Sequence, residues 1–342
     1  MSAKIGVAIN SCGMVAYEHA RAYLRDPRCE IVGVTSRTRA SAEKLVTELG
    51  LDCTIYPDYE ALLDDSRVQA LSITTPNFQH AAEAAAAARA GKHLLLEKPP
   101  GIHHAELDEL EQALRGSGLT TVCSFVLRWN PLVLNLTRLQ QEGAYGEVFF
   151  VQTDYWHGVG EIIRPDRWLA KREFTGSAFL AGGSHAVDLA RHFAGDIVSV
   201  SAYSQRRLEG FDYDTTISAT VKLASGGVGR ISVSFDAPGP YQFNIVVIGS
   251  EGMSRDDHFW SKRAFPQQDD WVTIPCITPN SGSVSHHPFT AEIAHFLDCI
   301  QEGRDGDPSV RHAIETARVC LAVDESAAQG GAAVAVRRPN AS

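Results

Sequence analysis

The sequence predicts an α/β protein, with an N-terminal doubly wound parallel sheet followed by a C-terminal α+β domain on a large open, mostly antiparallel sheet. Three observations carry this prediction. From residue 4 to about residue 125, short apolar runs alternate with segments whose apolar residues recur at helical spacing. The strand-like runs are continuously apolar, as in strands covered on both faces. After about residue 145 the runs alternate polar and apolar residues across short Gly, Asp or Pro turns, the mark of antiparallel strands with one covered face.

The expected strands of the first sheet are "KIGVAIN", "EIVGVTS", "VQALSITT", "KHLLLEK" and "LTTVCSF". Between them lie helical "MVAYEHARAYLRD", "RASAEKLVTELG", "FQHAAEAAAAARAG" and "HAELDELEQALRG", several of which close on Gly. In the second half, "EVFFVQTDYWHG", "IVSVSAYSQRR", "DTTISATVKLA", "GVGRISVSFDA" and "YQFNIVVIGS" are the expected strands. The helices "HAVDLARHFAG", "FTAEIAHFLDCIQEG" and "VRHAIETARVCLAVDESAAQ" are expected to cover them. The boundary falls between Cys123 and Gly146, giving domains 1–124 and 125–342.

At 342 residues the chain can build two cores of ordinary size. Its 44% hydrophobic and 21% charged content is that of a soluble globular protein. A net charge of -10 argues against a nucleic-acid partner. The seven cysteines are widely spaced, with no CxxC pattern, so they read as buried thiols in a reducing compartment. "MSAKIGVAIN" enters a strand without the apolar core of a signal peptide, and "AAEAAAAARA" is too short to span a bilayer. A cytoplasmic protein with no membrane partner is expected. His103–His104 and His286–His287 are adjacent pairs whose side chains diverge and lack a third ligand at useful spacing, so no metal is expected.

"VAINSCGMVA" lies where a dinucleotide phosphate loop belongs, between the first strand and first helix. The Rossmann pattern G-x-G-x-x-G/A is met by Ser11, Cys12, Gly13, Met14, Val15 and Ala16. Gly13 lets backbone N–H groups approach a pyrophosphate at the helix start, and Ala16 permits close helix–strand packing. Ser11 replaces the first glycine, so a residue with a Cβ must make the tight turn. At the end of the second strand, where an acidic residue would bond both ribose hydroxyls of NAD, stand Ser36 and Arg37. A hydroxyl beside a guanidinium suits a 2′-phosphate, which favours NADP over NAD; a plain surface arginine is the bland alternative.

"LLLEKPP" sets Glu97 and Lys98 where a buried strand meets two prolines, which cannot continue a ladder. By itself this could be a solvated strand end. The segment "SITTPNFQHAAEAAAAARAGKHLLLEKPP" resembles the signature of the Gfo/Idh/MocA oxidoreductases, and the likeness continues through "RWNP", "GGSHAVDLARHFAG", "VIGSEGM" and "HPFTAEIAHFLDCI". The resemblance implies a nicotinamide-dependent enzyme acting on sugars, inositols or related cyclic polyols. It implies that the open sheet is an interface for a homo-oligomer. It also implies that Lys98, held by a proline turn through a cis bond, meets the reacting hydroxyl or carbonyl, with Glu97 bonding the cofactor's ribose or carboxamide region. Thr75, Pro76 and Asn77 match the family loop along the cofactor, and His80 opens the helix that follows; Asn77 is equally suited to capping that helix.

Many relatives carry an Asp four residues before a His in the second domain. Here His185 keeps the histidine, but the Asp position is Ala181, so the expected acid–base pair is Lys98 and His185. Asp188, one turn on, could orient His185. Arg128, Trp129 and Asn130, then Tyr155, Trp156 and His157, and finally Trp168 are further candidates for the substrate site, although aromatics at such positions commonly serve packing. Two other readings stay open: a redox-neutral glycosidase or lyase using held NAD, and a cofactor-binding regulator without turnover.

Overall fold

In the computed structural model, which describes residues 4–160 and 167–338, the chain forms two compact units. The first contains the chain up to Val126 together with Pro288–Ile314. Its elements are β1 (Ile5–Asn10), α1 (Met14–Arg25), β2 (Cys29–Thr35), α2 (Arg39–Leu49), β3 (Thr54–Ile55), α3 (Tyr59–Asp64), β4 (Ala70–Ile73), α4 (Asn77–Arg89), β5 (His93–Leu96), α5 (His104–Leu114) and β6 (Thr121–Cys123). The six strands are parallel in the order β3-β2-β1-β4-β5-β6. Every residue of β1 and β4 is buried, because helices cover both faces, which is what the unbroken apolar runs required.

The second unit holds α6 (Pro131–Gln141), β7 (Val148–Trp156), α7 (Arg172–Thr175), α8 (Ser184–Ala194), β8 (Ile197–Gln205), β9 (Thr216–Leu223), β10 (Val228–Ser234), β11 (Gln242–Gly249), β12 (Met253–Arg255), β13 (His258–Trp260) and β14 (Val272–Thr273). After α9 (Phe289–Glu302) and α10 (Val310–Ala328), β15 (Val334–Ala335) closes the sheet. Nine strands run in the order β14-β13-β12-β11-β7-β10-β9-β8-β15, antiparallel except for the β7–β10 pair. In β9, Ile217, Ala219, Val221 and Leu223 are buried and Ser218, Thr220 and Lys222 exposed, so one face is covered and one is open. Helix α8 packs on β7 and β10, where the Thr153 hydroxyl donates to the Ala186 carbonyl at 2.9 Å.

The structure departs from the linear domain division in one respect. Helix α9, expected to cover the second sheet, packs against α1 in the first unit, so residues 125–342 are not one continuous body. The physical reason is the polar and apolar matching of α1 and its flank to α9. Phe289 meets the ring of His19 at 5.3 Å, and the Arg28 guanidinium donates to the Ala294 carbonyl at 3.2 Å and pairs with Asp298.

A second unanticipated feature is a π-helical turn, Phe179–Gly183, leading into α8. Such turns hold a wider backbone ring and recur at functional sites. The Ser177 hydroxyl accepts from the Leu180 N–H at 3.1 Å to start it, and Asp324 on α10 bonds Ser177 in turn. Burial pushes the Asp324 carboxyl up from 3.8 to about 6, against the opposing pull of Ser177 and Arg172. The folded state therefore favours the protonated acid, and this contribution to stability is lost as pH rises from 3.8 toward and through about 6. Asp324→Asn should remove that slope, so that thermal unfolding followed across this range shows the wild type losing stability relative to the variant as pH rises.

Candidate active site

The parallel register places the chemistry of the first unit along one edge. Asn10 pairs with Thr35 and with Ile73, and Ile73 with Leu96, so Ser11, Ser36, Thr74 and Glu97 all follow immediately at the carboxyl ends of their strands. The strand order reverses between β1 and β4, which is where open α/β sheets leave a crevice for a ligand.

The loop after β1 has the geometry a dinucleotide needs. Ser11 takes φ 87°, the left-handed region that the missing glycine would occupy without cost, and its N–H bonds Thr35 at 2.9 Å. Gly13 is the N-cap of α1 and, being glycine, supplies no side-chain cap to the first turn. A Cβ added to Gly13 would meet nothing nearer than the Ser11 hydroxyl oxygen at 3.9 Å, so the protein's own packing does not demand glycine. The open space lies over N–H groups at a helix start, which fits a diphosphate. Burial pushes the Cys12 thiol up to about 11, keeping it neutral, and its sulfur lies 3.7 Å from the Thr35 carbonyl. Met14 is exposed and Val15 half-buried. At the end of β2, Ser36 bonds Cys12, while Arg37 is exposed and makes no ion pair among the described residues.

Several of the expected cofactor contacts also make bonds within the protein. Pro76, not Asn77, is the N-cap of α4, and Asn77 is its buried first residue, which corrects the capping expectation. His80 is buried with Nδ1 2.7 Å from the Pro99 carbonyl and Nε2 2.7 Å from the Thr75 carbonyl. Burial holds the ring below its ordinary pKa, so its one N–H donates to one of these carbonyls while the other nitrogen lies against the second, and His80 bridges the loop after β4 and the turn after β5. The Thr75 hydroxyl donates to Glu83 at 2.6 Å, fixing the same loop to α4.

The Lys98–Pro99 peptide is cis, as the resemblance implied. Glu97 is buried at 8% exposure; its Oε1 lies 3.3 Å from His19 Nε2, and its Oε2 accepts from the Lys98 backbone N–H at 3.2 Å. Burial pushes the carboxyl up, but His19, Lys98 and Ser124 together outweigh it and hold the group down to about 2. Burial pushes the half-buried Lys98 ammonium below its ordinary value, while Glu97 opposes the shift. Lys98 is thereby brought toward the range in which a lysine can exchange a proton.

In the second unit, His185 is buried in the first turn of α8, directly after the π turn that contains Ala181. Its ring stacks parallel to Tyr155, with centroids 6.2 Å apart and planes at 11°. Tyr155 also contacts Tyr241 edge-on at 5.3 Å, its hydroxyl lies 3.3 Å from His157 Nδ1, and His157 packs edge-on against Tyr241 at 5.0 Å. Burial pushes both tyrosine hydroxyls up, so they are neutral donors and acceptors. The structure brings Tyr155, His157 and His185 together and adds Tyr241, which the sequence did not single out. Gly182 is required here, because a Cβ would approach the Tyr155 ring to 2.7 Å and the Phe235 ring to 2.8 Å.

Arg128 and Asp188 are paired with each other, a partnership the sequence reading did not anticipate. Arg128 donates from Nε and Nη2 to the two Asp188 oxygens at 2.6 and 2.8 Å, and its Nη1 lies 2.6 Å from His192 Nδ1. This buried bidentate pair ties α8 to the start of the unit, because two long-range charges removed from water need each other. Asn130 accepts from the Leu132 N–H at 2.9 Å and caps α6, while Trp156 donates to the Ser232 hydroxyl at 2.9 Å on the sheet. Trp168 is half-buried in a short 3₁₀ turn, its carbonyl accepting from the Thr175 hydroxyl at 3.1 Å. The sequence reading missed His19 and Glu292. Each was detectable as a polar residue on a helix stripe whose other members (Ala16, Ala20 and Tyr23; Phe289, Ile293 and Phe296) are apolar.

Comparison with known proteins places this geometry in context. The family model for an oxidoreductase family with an NAD-binding Rossmann fold (GFO/IDH/MocA) matches residues 5–125, and the GFO/IDH/MocA C-terminal domain model matches residues 133–255. The chain is similar to scyllo-inositol 2-dehydrogenase (NAD(+)) of Bacillus subtilis, 25% identical over 89% of this chain and 88% of that protein. It is also similar to D-xylose 1-dehydrogenase (NADP(+)) 2 of Haloferax volcanii, 32% identical over 61% of this chain and 63% of that one. In fold it matches the structure of levoglucosan dehydrogenase in complex with NADH at a TM-score of 0.87 and 22% identity, covering 98% of this chain and all of the other.

Ser11→Gly should relieve the left-handed strain and stabilise the protein by about 1 kcal/mol while leaving dinucleotide affinity within about threefold. Chemical denaturation and a binding titration would check both parts. His80→Ala should release the Thr75 and Pro99 carbonyls, costing about 1–3 kcal/mol and weakening dinucleotide binding, as measured by the same two methods.

Proposed function

The chain belongs to the Gfo/Idh/MocA family of NAD(P)-dependent dehydrogenases acting on CH–OH groups, and we propose that it transfers a hydride between the nicotinamide and a sugar, inositol or related cyclic polyol. The observation that carries this reading is Lys98, half-buried beside the buried Glu97 carboxylate at the strand edge where β4 and β5 end. The bound nicotinamide would supply the hydride chemistry. Ser11, Gly13 and the first turn of α1 would hold the diphosphate, and the Thr75–Asn77 loop would run alongside the cofactor.

In this reading Lys98 bonds the reacting oxygen. As an ammonium it polarises a carbonyl, and after giving up its proton it accepts one from an alcohol. His185 relays that single proton, while the flat faces of Tyr155, Tyr241 and Trp168 and the polar edge of His157 receive a ring carrying several hydroxyls. The alanine at position 181 removes one acceptor from this set, and that suits a substrate lacking a hydroxyl at the corresponding place. The named activities of the relatives, on inositol, xylose and levoglucosan, support a cyclic polyol or sugar. Arg37, exposed with no acidic neighbour at the end of β2, supports NADP over NAD. The open face of the nine-stranded sheet, which exposes Tyr203 and Val228, is the surface proposed for association with further copies.

The test is a titration with NAD and NADP, followed by a screen of sugars, inositols and glycosides for change at the nicotinamide absorbance band. Binding with no substrate-dependent signal would favour the redox-neutral or regulatory readings. Lys98→Met should lower kcat by roughly 10²-fold or more with dinucleotide affinity nearly unchanged; retained turnover would remove Lys98 from the chemistry. Arg37→Ala should lower the NADP/NAD affinity ratio about tenfold, the loss expected for one charge-assisted contact to a 2′-phosphate. An unchanged ratio would remove Arg37 from that role.

A further inference from the structure

Behind Lys98 lies a chain of buried polar groups drawn from five places in the sequence. The Tyr23 hydroxyl is 2.8 Å from the Ser72 hydroxyl, which is 3.1 Å from His19 Nδ1, and His19 Nε2 reaches Glu97. On the other side of Glu97, Ser124 bonds its carboxylate and also lies 3.0 Å from Glu292 Oε2 on α9. Glu292 has no exposed surface, and its Oε1 has no hydrogen-bond partner among the described residues.

One arrangement of protons satisfies this set. A bare, buried carboxylate oxygen is far more costly than a bare carbonyl oxygen, so Glu292 is the neutral acid and Glu97 the anion. Glu292 then donates to Ser124 and Ser124 to Glu97; from the other side Tyr23 donates to Ser72, Ser72 to His19 Nδ1, and His19 Nε2–H to Glu97. All donors converge on one carboxylate, and that carboxylate accepts the backbone N–H of Lys98. Burial and the nearby Glu97 charge both push the Glu292 carboxyl upward, consistent with this assignment. The titratable groups around Glu292 are Glu97 with Lys98 at the end of β5 and Tyr23 with His19 on α1.

We propose that Glu292 is a positioning residue for Lys98, acting as a neutral acid that fixes Ser124 and, through it, the Glu97 carboxylate on which Lys98 is seated. This rests on the dehydrogenase reading for its consequence in turnover, but not for its consequence in the titration of Lys98. It also explains why α9 returns to the first unit: the helix carries the acid to the underside of the Glu-Lys-Pro turn.

The experiment compares Glu292→Gln, which keeps an N–H donor for Ser124 and cannot ionise, with Glu292→Leu, which removes the donor at similar volume. Ser124→Ala breaks the bridge itself and serves where the leucine variant fails to fold. The titration of Lys98 is followed by NMR of the reductively methylated protein, assigned with Lys98→Arg, and the pH profile of kcat/KM is recorded alongside. Glu292→Gln should keep the wild-type titration and turnover within about threefold, rescuing the role by hydrogen bonding alone. Glu292→Leu and Ser124→Ala should free Glu97, move the Lys98 titration to lower pH, and reduce kcat about tenfold with KM and dinucleotide affinity within twofold. A Lys98 titration unmoved in the folded leucine or alanine variant overturns the proposal, as does a glutamine variant as impaired as the leucine one. Absence of turnover in the wild type would instead overturn the dehydrogenase reading, and the NMR titration would still decide the role of Glu292.

Discussion

A single buried carboxylate organises the first unit. An anion taken out of water persists only where donors replace its hydration, and Glu97 collects them from α1 through His19, from the segment after β6 through Ser124, and from the next peptide through the Lys98 N–H. Those three demands dictate much else. Helix α1 must carry a polar residue on its buried stripe, Ser72 must sit on an otherwise apolar strand to receive the other side of that ring, and α9 must close over the site. The lysine that is proposed to meet the substrate is therefore anchored by charge and hydrogen bonds rather than by a flexible loop.

The second unit follows the same logic with different parts. Two of its buried charges, Arg128 and Asp188, satisfy each other with two parallel hydrogen bonds, and His192 caps the remaining guanidinium edge. That frees the neighbouring turn of α8 to present His185 against Tyr155. The π turn before it admits close ring packing over Gly182, where no side chain fits. In both units, a layer of structural polar pairs lies beside the residues proposed for chemistry. Residue type alone does not separate the two layers for Arg128, Asp188 and His80.

What local order and periodicity can report, the sequence reported. Continuous apolar runs require a sheet covered on both faces and alternating runs one with an open face, because side-chain direction in a strand has period two. Ser11-Cys12-Gly13 between strand and helix requires a left-handed turn and an unblocked helix start, and both are present. The Glu-Lys-Pro segment identified its own strand end through the prolines. What the sequence could not report is which long-range partner each polar residue finds. Glu292 and Glu97 are separated by most of the chain, as are Arg128 and Asp188 by much of the second unit. Only the folded structure, through the cost of leaving any buried charge or hydrogen-bonding atom unpaired, decides that one glutamate is a neutral acid, that one arginine is a tie and that one histidine is a clasp.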